Sequence, residues 1–155
     1  MTKSDDIEKQ SILKDEYLHI QSAIESYDGQ IVSIKIWSII FNLTALISAF
    51  ATETPEAFLI ASLSAAMFWL TEGHWKTFQH AYYDRAGKLE EFFAGKQQDI
   101  QPLQTGASWY ENWQQGGTKQ LLRIMVQPQV YLPHVVTIVS GVVLYVLFAT
   151  GHMTV

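Results

Sequence analysis

The sequence predicts an all-α integral membrane protein with three transmembrane helices, the first two forming a long antiparallel hairpin extended into the cytoplasm. Three observations predict it. Segments 36–50, 57–70 and 135–151 contain no Asp, Glu, Lys or Arg, although charges recur every few residues elsewhere. Apolar residues repeat at heptad spacing just before the first segment and just after the second. A tight polar turn, Ala51-Thr52-Glu53-Thr54-Pro55, joins those two segments.

The first span is read at about 31–51, whose ~21 residues cover about 30 Å of hydrocarbon. Lys35 sits one turn inside it, where its stem can snorkel, and Trp37 suits the interfacial belt. Thr54 is the expected N-cap and Pro55 the first helical position of the next helix. The second span, about 56–71, has a short uncharged core. A sharp outer turn after one crossing sends this helix back through the bilayer. The third, about 131–151, is rich in Val, Leu and Ile, with Pro133 and His134 in its first turn and Gly151 at its end.

Leu13, Tyr17, Ile20, Ile24, Tyr27, Ile31 and Ile34 follow a strict a/d heptad into the first span, predicting one nearly continuous helix over 11–50. Trp75, Phe78, Tyr82, Ala86, Leu89 and Phe93 form a matching seam beyond the second span. The two seams are expected to zip together, and Gly95-Lys96-Gln97-Gln98-Asp99 to stop the second helix. Aromatic and basic residues over 109–126, interrupted at Gly116-Gly117, suggest an amphipathic helix along the headgroups, with Pro128 separating it from the third span. The chain thus divides into 1–95, the hairpin with two spans; 96–128, a cytoplasmic loop and interfacial helix; and 129–155, the third span with a short external tail.

All ten Lys and Arg flank one side of these spans. By the positive-inside rule that side is cytoplasmic, which puts the N-terminus in and the C-terminus out. The acidic start does not read as a signal peptide. A formal net charge of −5 supplies no basic patch, so nucleic acid is not an expected partner. The absence of cysteine excludes disulfides, thiolate metal sites and cysteine nucleophiles.

Several constellations carry a second reading. Lys35, Glu72, His74 and His134 are ionisable groups near the predicted cytoplasmic boundary, and with Trp37, Trp69 and Trp75 they read as interface anchors. Ser38, Asn42, Ala45 and Ala49 share a helix face, either lining a pore or packing against a neighbouring helix. Ala61 and Ala65 carry the same ambiguity. Glu16-x-x-His19 has the spacing used in helical di-iron bundles, but no second copy exists, so no metal or other cofactor is expected. His80 and Asp84 can form a hydrogen-bonded pair one turn apart. No glycine-rich phosphate loop or strand–Ser–helix elbow occurs, and the chain does not read as an enzyme.

Glu16-Tyr17-Leu18, Ile24, Tyr27-Asp28 and Lys35-Ile36-Trp37 enter the first span, while Phe68-Trp69 and Tyr82-Tyr83-Asp84-Arg85 leave the second. In this architecture 11–93 resembles the small bacterial membrane proteins of the SLATT kind. That resemblance implies a bacterial inner-membrane protein that oligomerises as a pore-forming effector of a conflict system, triggered by a partner or signal. The third span departs from the simplest two-span pattern. The expectation is an oligomeric, channel-like membrane protein gated through its cytoplasmic helices, which the resemblance makes a defence effector. The alternative is a non-conducting adaptor that recruits a soluble cytoplasmic partner. Its expected partners are membrane lipid, further copies of itself and a cytoplasmic protein or signal.

Overall fold

The computed structural model describes residues 3–97 and 99–152, leaving the end of the expected external tail and the side chain of Lys3 outside the described residues. Four helices follow one another: α1 (Lys3–Ala51), α2 (Glu56–Phe93), α3 (Thr105–Met125) and α4 (Pro128–Ala149). Among the described residues all regular structure is helical. Two helices, α1 and α4, are long and apolar enough to cross a membrane. The apolar run of α2 is shorter and ends at Glu72.

Helix boundaries follow local chemistry. α1 is 49 residues long and continues through Gly29, as the unbroken heptad predicts. Its last carbonyls are taken by the turn, with Thr52 N donating to Ser48 O (3.0 Å) and Thr54 N to Ala49 O (3.2 Å). Thr54 does not act as the expected cap: its hydroxyl donates back to Thr52 O (3.1 Å). Pro128 begins α4 rather than preceding it, because a proline lacks only a donor that the first turn leaves unused. Pro133 therefore lies in the helix interior instead of the first turn. α3 starts at Thr105 and is bent at Gly117, whose φ of 46° and ψ of −150° favour a residue without Cβ.

The chain forms two compact units, each assembled from segments distant in sequence. Unit 1 comprises Met1–Gly29 and Trp75–Leu121; unit 2 comprises Gln30–His74 and Leu122–Val155. The hairpin contributes to both, so the spatial grouping cuts across the division read along the chain.

In unit 1 the two seams meet as expected. Leu13, Ile20, Ile24, Ala86, Leu89 and Ile100 form its core, flanked by Tyr17, Tyr82 and Phe92. Each fully buried Leu or Ile contributes roughly 1.5–3 kcal/mol by leaving water. Phe92, not Phe93, closes the seam, because a step of three from Leu89 near the frayed helix end keeps the ring on the packed face. The first half of α3 packs its aromatics on α2. Trp109 and Trp113 stack 5.8 Å apart, Trp109 and Phe78 approach to 6.0 Å, and the Trp109 indole donates to Phe78 O (3.0 Å).

Unit 2 is a three-helix arrangement with an inverted distribution of polarity. Its large apolar side chains point outward: Trp37, Ile47 and Leu63 are about two-thirds exposed, and Ile40, Leu43, Ile60, Met67, Val136, Val139 and Val143 also face out. Its polar side chains point inward, including Ser38, Asn42, Ser62, Glu72 and His134. Small residues allow the close approach. A Cβ on Gly141 would run into the Ser62 hydroxyl and lie 2.7 Å from Phe58 O, so α4 touches α2 almost backbone to backbone.

Candidate functional site

The buried polar groups of unit 2 belong to three stripes at helical spacing. α1 presents Ile31, Ser38, Asn42 and Ala49; α2 presents Phe58, Ala61, Ala65 and Glu72; α4 presents Val130, His134 and Gly141. The polar members meet in one connected network. Lys35 Nζ lies 3.2 Å from Glu72 Oε1, and Glu72 Oε2 lies 3.1 Å from His134 Nε2. The other ring nitrogen, Nδ1, is 3.3 Å from Ser38 Oγ. Asn42 Nδ2 donates to Ser38 Oγ (3.2 Å), and Asn42 Oδ1 accepts the Ser64 hydroxyl (2.6 Å).

Glu72 is wholly buried, and its Oε1 accepts no hydrogen bond in the described structure. The nearby ammonium compensates that oxygen through charge at 3.2 Å, outside hydrogen-bond geometry. A carboxylate removed from water is tolerated only with such a partner, since its desolvation costs several kcal/mol. Lys35 in turn donates to Gln129 O (2.7 Å). This bond has a covalent origin: Pro133 has no N–H, so the carbonyl four residues earlier loses its helical donor. Lys35 fills that vacancy and is thereby held against Glu72.

The far end of the bundle is closed by aromatics. Phe50, Phe58 and Phe148 form a triangle with centroid separations of 5.1, 5.5 and 5.9 Å. Between this plug and the network, Ser62 donates to Phe58 O (3.0 Å) and lies 3.2 Å from Ile138 O.

Most of the expected site residues can now be placed. Ser38, Asn42 and Ala49 share a face as anticipated, and that face is turned into the bundle; Ala45 is half-buried beside a surface groove bounded by Trp37, Ile40, Phe41 and Thr44. Ala61 and Ala65 pack inward. Of the expected anchors, Trp37 is exposed, while Trp69 is half-buried and donates to Met125 O (3.1 Å), a carbonyl at the end of α3. His74 is exposed with its ring at Leu70 O (2.9 Å). Trp75 packs on Tyr27 at 5.5 Å within unit 1. Glu72 is no solvated edge group, because it continues the inward stripe of α2.

Unit 1 holds a second ionic cluster. The Glu16 carboxylate accepts from Arg85 Nε (3.0 Å) and Nη2 (2.9 Å), from the N–H groups of Leu103 (2.8 Å) and Gln104 (3.2 Å), and from the Thr105 hydroxyl (2.8 Å). Burial by itself would raise the Glu16 pKa, but the Arg85, Thr105 and Leu103 hydrogen bonds and the Arg85 charge outweigh it and hold the carboxyl below the usual glutamate value. The side chain ties the turn that leads into α3 to α1. It is thus committed to structure, and His19 is exposed, which leaves the Glu16-x-x-His19 spacing without a metal site. Among the described residues no three His, Cys, Asp or Glu side chains stand together as metal ligands. Asp84 pairs with Lys88 (2.7 Å), and the His80 ring packs on Tyr83 at 4.9 Å.

No protein family, curated protein or solved structure matches the chain.

Proposed function

We propose that the chain is a three-span membrane protein, N-terminus in and C-terminus out, and that it is channel-like, held closed in this conformation. One observation carries the reading: a connected chain of charged and polar side chains occupies the interior of a bundle whose outer surface is apolar. In water such a distribution would leave large apolar surface wet while charges lose their hydration. In lipid the outer surface is matched, and ionisable groups kept inside a bundle characteristically mark an ion or proton route. The Gln30–Ala51 part of α1, the Glu56–Thr71 part of α2, and α4 supply the three spans. The second is short, and its outward residues Ile60, Leu63 and Met67 are apolar. The proposed route runs along Lys35, Glu72, His134, Ser38, Asn42 and Ser64 and is blocked by Phe50, Phe58 and Phe148. The SLATT-like character of 11–93 accords with a gated effector that acts on the membrane of a bacterial cell.

The test is ion flux from liposomes containing the purified chain. The wild type is expected to be nearly silent, Phe58→Ala to leak, and Phe58→Ala combined with Asn42→Leu to fall silent again. Cysteines placed singly at Glu53 and Lys88 should label from opposite sides. Correct labelling with no flux from Phe58→Ala would end the channel reading.

A second reading, the non-conducting adaptor, is favoured by a specific observation: the Ser38 and Asn42 side chains are taken up by one another, Ser64 and His134 inside the bundle. Under it the exposed aromatics Tyr83, Tyr110 and Trp113 of unit 1 meet a soluble partner. Substituting those three residues would then abolish partner capture without altering membrane permeability.

A further inference from the structure

The network of unit 2 has a direction, and the direction depends on one proton. In the arrangement observed, Ser64 O–H points to Asn42 Oδ1 and Asn42 Nδ2 donates to Ser38 Oγ. Ser38 Oγ, which accepts from the amide, lies 3.3 Å from His134 Nδ1 and in this arrangement can give that nitrogen its single hydrogen. The tautomer that fits this direction has Nδ1 as acceptor and the ring proton on Nε2, facing Glu72. With that tautomer every donor runs toward the carboxylate. With Lys35 as ammonium and Glu72 ionised, the cluster is formally neutral.

A second arrangement satisfies the same heavy atoms. Ser64 also lies 2.9 Å from Ala61 O, within its own helix, and can turn its hydroxyl there. The Asn42 amide is then free to rotate by half a turn, so that Nδ2 donates to Ser64 and Oδ1 accepts the Ser38 hydroxyl. Ser38 Oγ becomes an acceptor, which requires a proton on His134 Nδ1. One additional proton, shared by the His134–Glu72 pair, completes this pattern and leaves the cluster with one positive charge. The ionisable groups placed at the His134 ring are Glu72 from α2 and, through it, Lys35 from α1; α4 contributes the Gln129 carbonyl that holds Lys35.

We propose that the His134–Glu72 pair is a binding site for one proton, and that uptake reverses the hydrogen bonds of Ser38, Asn42 and Ser64. The proton comes from water and no bond between heavy atoms changes. Because the relay joins α1, α2 and α4, one titration at the Lys35 end alters the contact between α1 and α2 two helical turns further along. The site rests on the membrane reading only for its setting, since the connected side chains are those of the bundle interior itself.

The experiment is solid-state NMR of the full chain, 15N-labelled at His and Asn, in vesicles of phosphatidylcholine and phosphatidylglycerol, scanned from about pH 9 to about pH 4. The His134 signals are identified by their loss in His134→Gln. Expected is an imidazole carrying its proton on Nε2 at high pH, which gains a proton at Nδ1 on acidification, with the Asn42 side-chain amide shifting at the same midpoint. Glu72→Gln should move the midpoint by at least tenfold in proton concentration. Asn42→Leu should leave the His134 transition in place and decouple Ser64. Two outcomes overturn the proposal: a His134 ring that keeps one protonation state throughout, or one that titrates while the Asn42 amide stays fixed. Cysteine labelling at Glu53 and Lys88 is read separately, so a chain wrongly assigned to the membrane is told apart from a relay that does not switch.

Discussion

Replacing Glu16 by Gln removes a single charge from unit 1 with almost no change in shape, and the consequence can be worked from its partners. Five donors converge on the two carboxylate oxygens. An amide keeps one acceptor and turns the other position into a donor. If that donor replaces Oε2, it confronts Arg85 Nη2 and the Leu103 N–H; if it replaces Oε1, it confronts Arg85 Nε, the Gln104 N–H and the Thr105 hydroxyl. Either orientation sets the new donor against at least two part-buried donors, at about 1 kcal/mol each. Arg85, 5% exposed, also loses its counter-charge, and breaking such a pair costs about 3–5 kcal/mol. In a chain of 155 residues a change of that size lowers the thermal midpoint by roughly 6–20 °C. The readout is near-ultraviolet circular dichroism of the stacked Trp109 and Trp113 in the detergent-solubilised chain, because Glu16 anchors the start of their helix. The sign with pH follows as well. The folded-state pKa of Glu16 is held below its ordinary value, so its contribution is complete above about pH 4.3 and is lost as pH falls through the folded value. Glu16→Gln should therefore flatten the acid limb of stability. A midpoint shift below about 4 °C, or an acid limb as steep as wild type, would refute the reasoning.

Three further outcomes are expected. Gly141→Leu has no room against Ser62 and Phe58, so the variant should lose its monodisperse profile in detergent chromatography and melt earlier by about 3 kcal/mol, the upper range for overpacking. Gly87→Ala meets open space at ordinary helical φ, and thermal melts should show a gain of about 1 kcal/mol. Trp69→Phe keeps an aromatic side chain of smaller bulk but leaves Met125 O without its donor; a loss of about 1 kcal/mol or more is expected, with faster hydrogen exchange at the end of α3.

The helices were legible because periodicity is local. The heptad from Leu13 to Ile31 and the seam from Trp75 to Leu89 each fix a face, and two faces joined by a five-residue turn have one way to meet. The fourth helix was legible from composition, although Pro128 and Pro133 exchange the roles expected of them. What the sequence did not yield directly was the meeting of Lys35, Glu72 and His134. Each lies near the boundary of its own span, and a residue near a boundary reads as solvated. The signal was nevertheless present: Glu72 extends the spacing of Phe58, Ala61 and Ala65, and His134 lies one heptad before Gly141. Moving from Lys35 to Asn42 along α1 is matched by moving back from Glu72 to Ser64 along α2, as antiparallel packing demands. Glu16 was hidden for a different reason. Its partners Leu103 and Gln104 act through backbone N–H groups in a loop, and side-chain patterns carry no trace of those.

The missing amide hydrogen of Pro133 has a consequence for how this chain can vary. A non-proline residue there would restore the ordinary helical bond to Gln129 and displace the Lys35 ammonium. Glu72 would then face His134 without its ammonium partner. An imino acid on one helix and a cation on another are in this way a single thermodynamic unit: exchanging either alone should harm the bundle more than exchanging both.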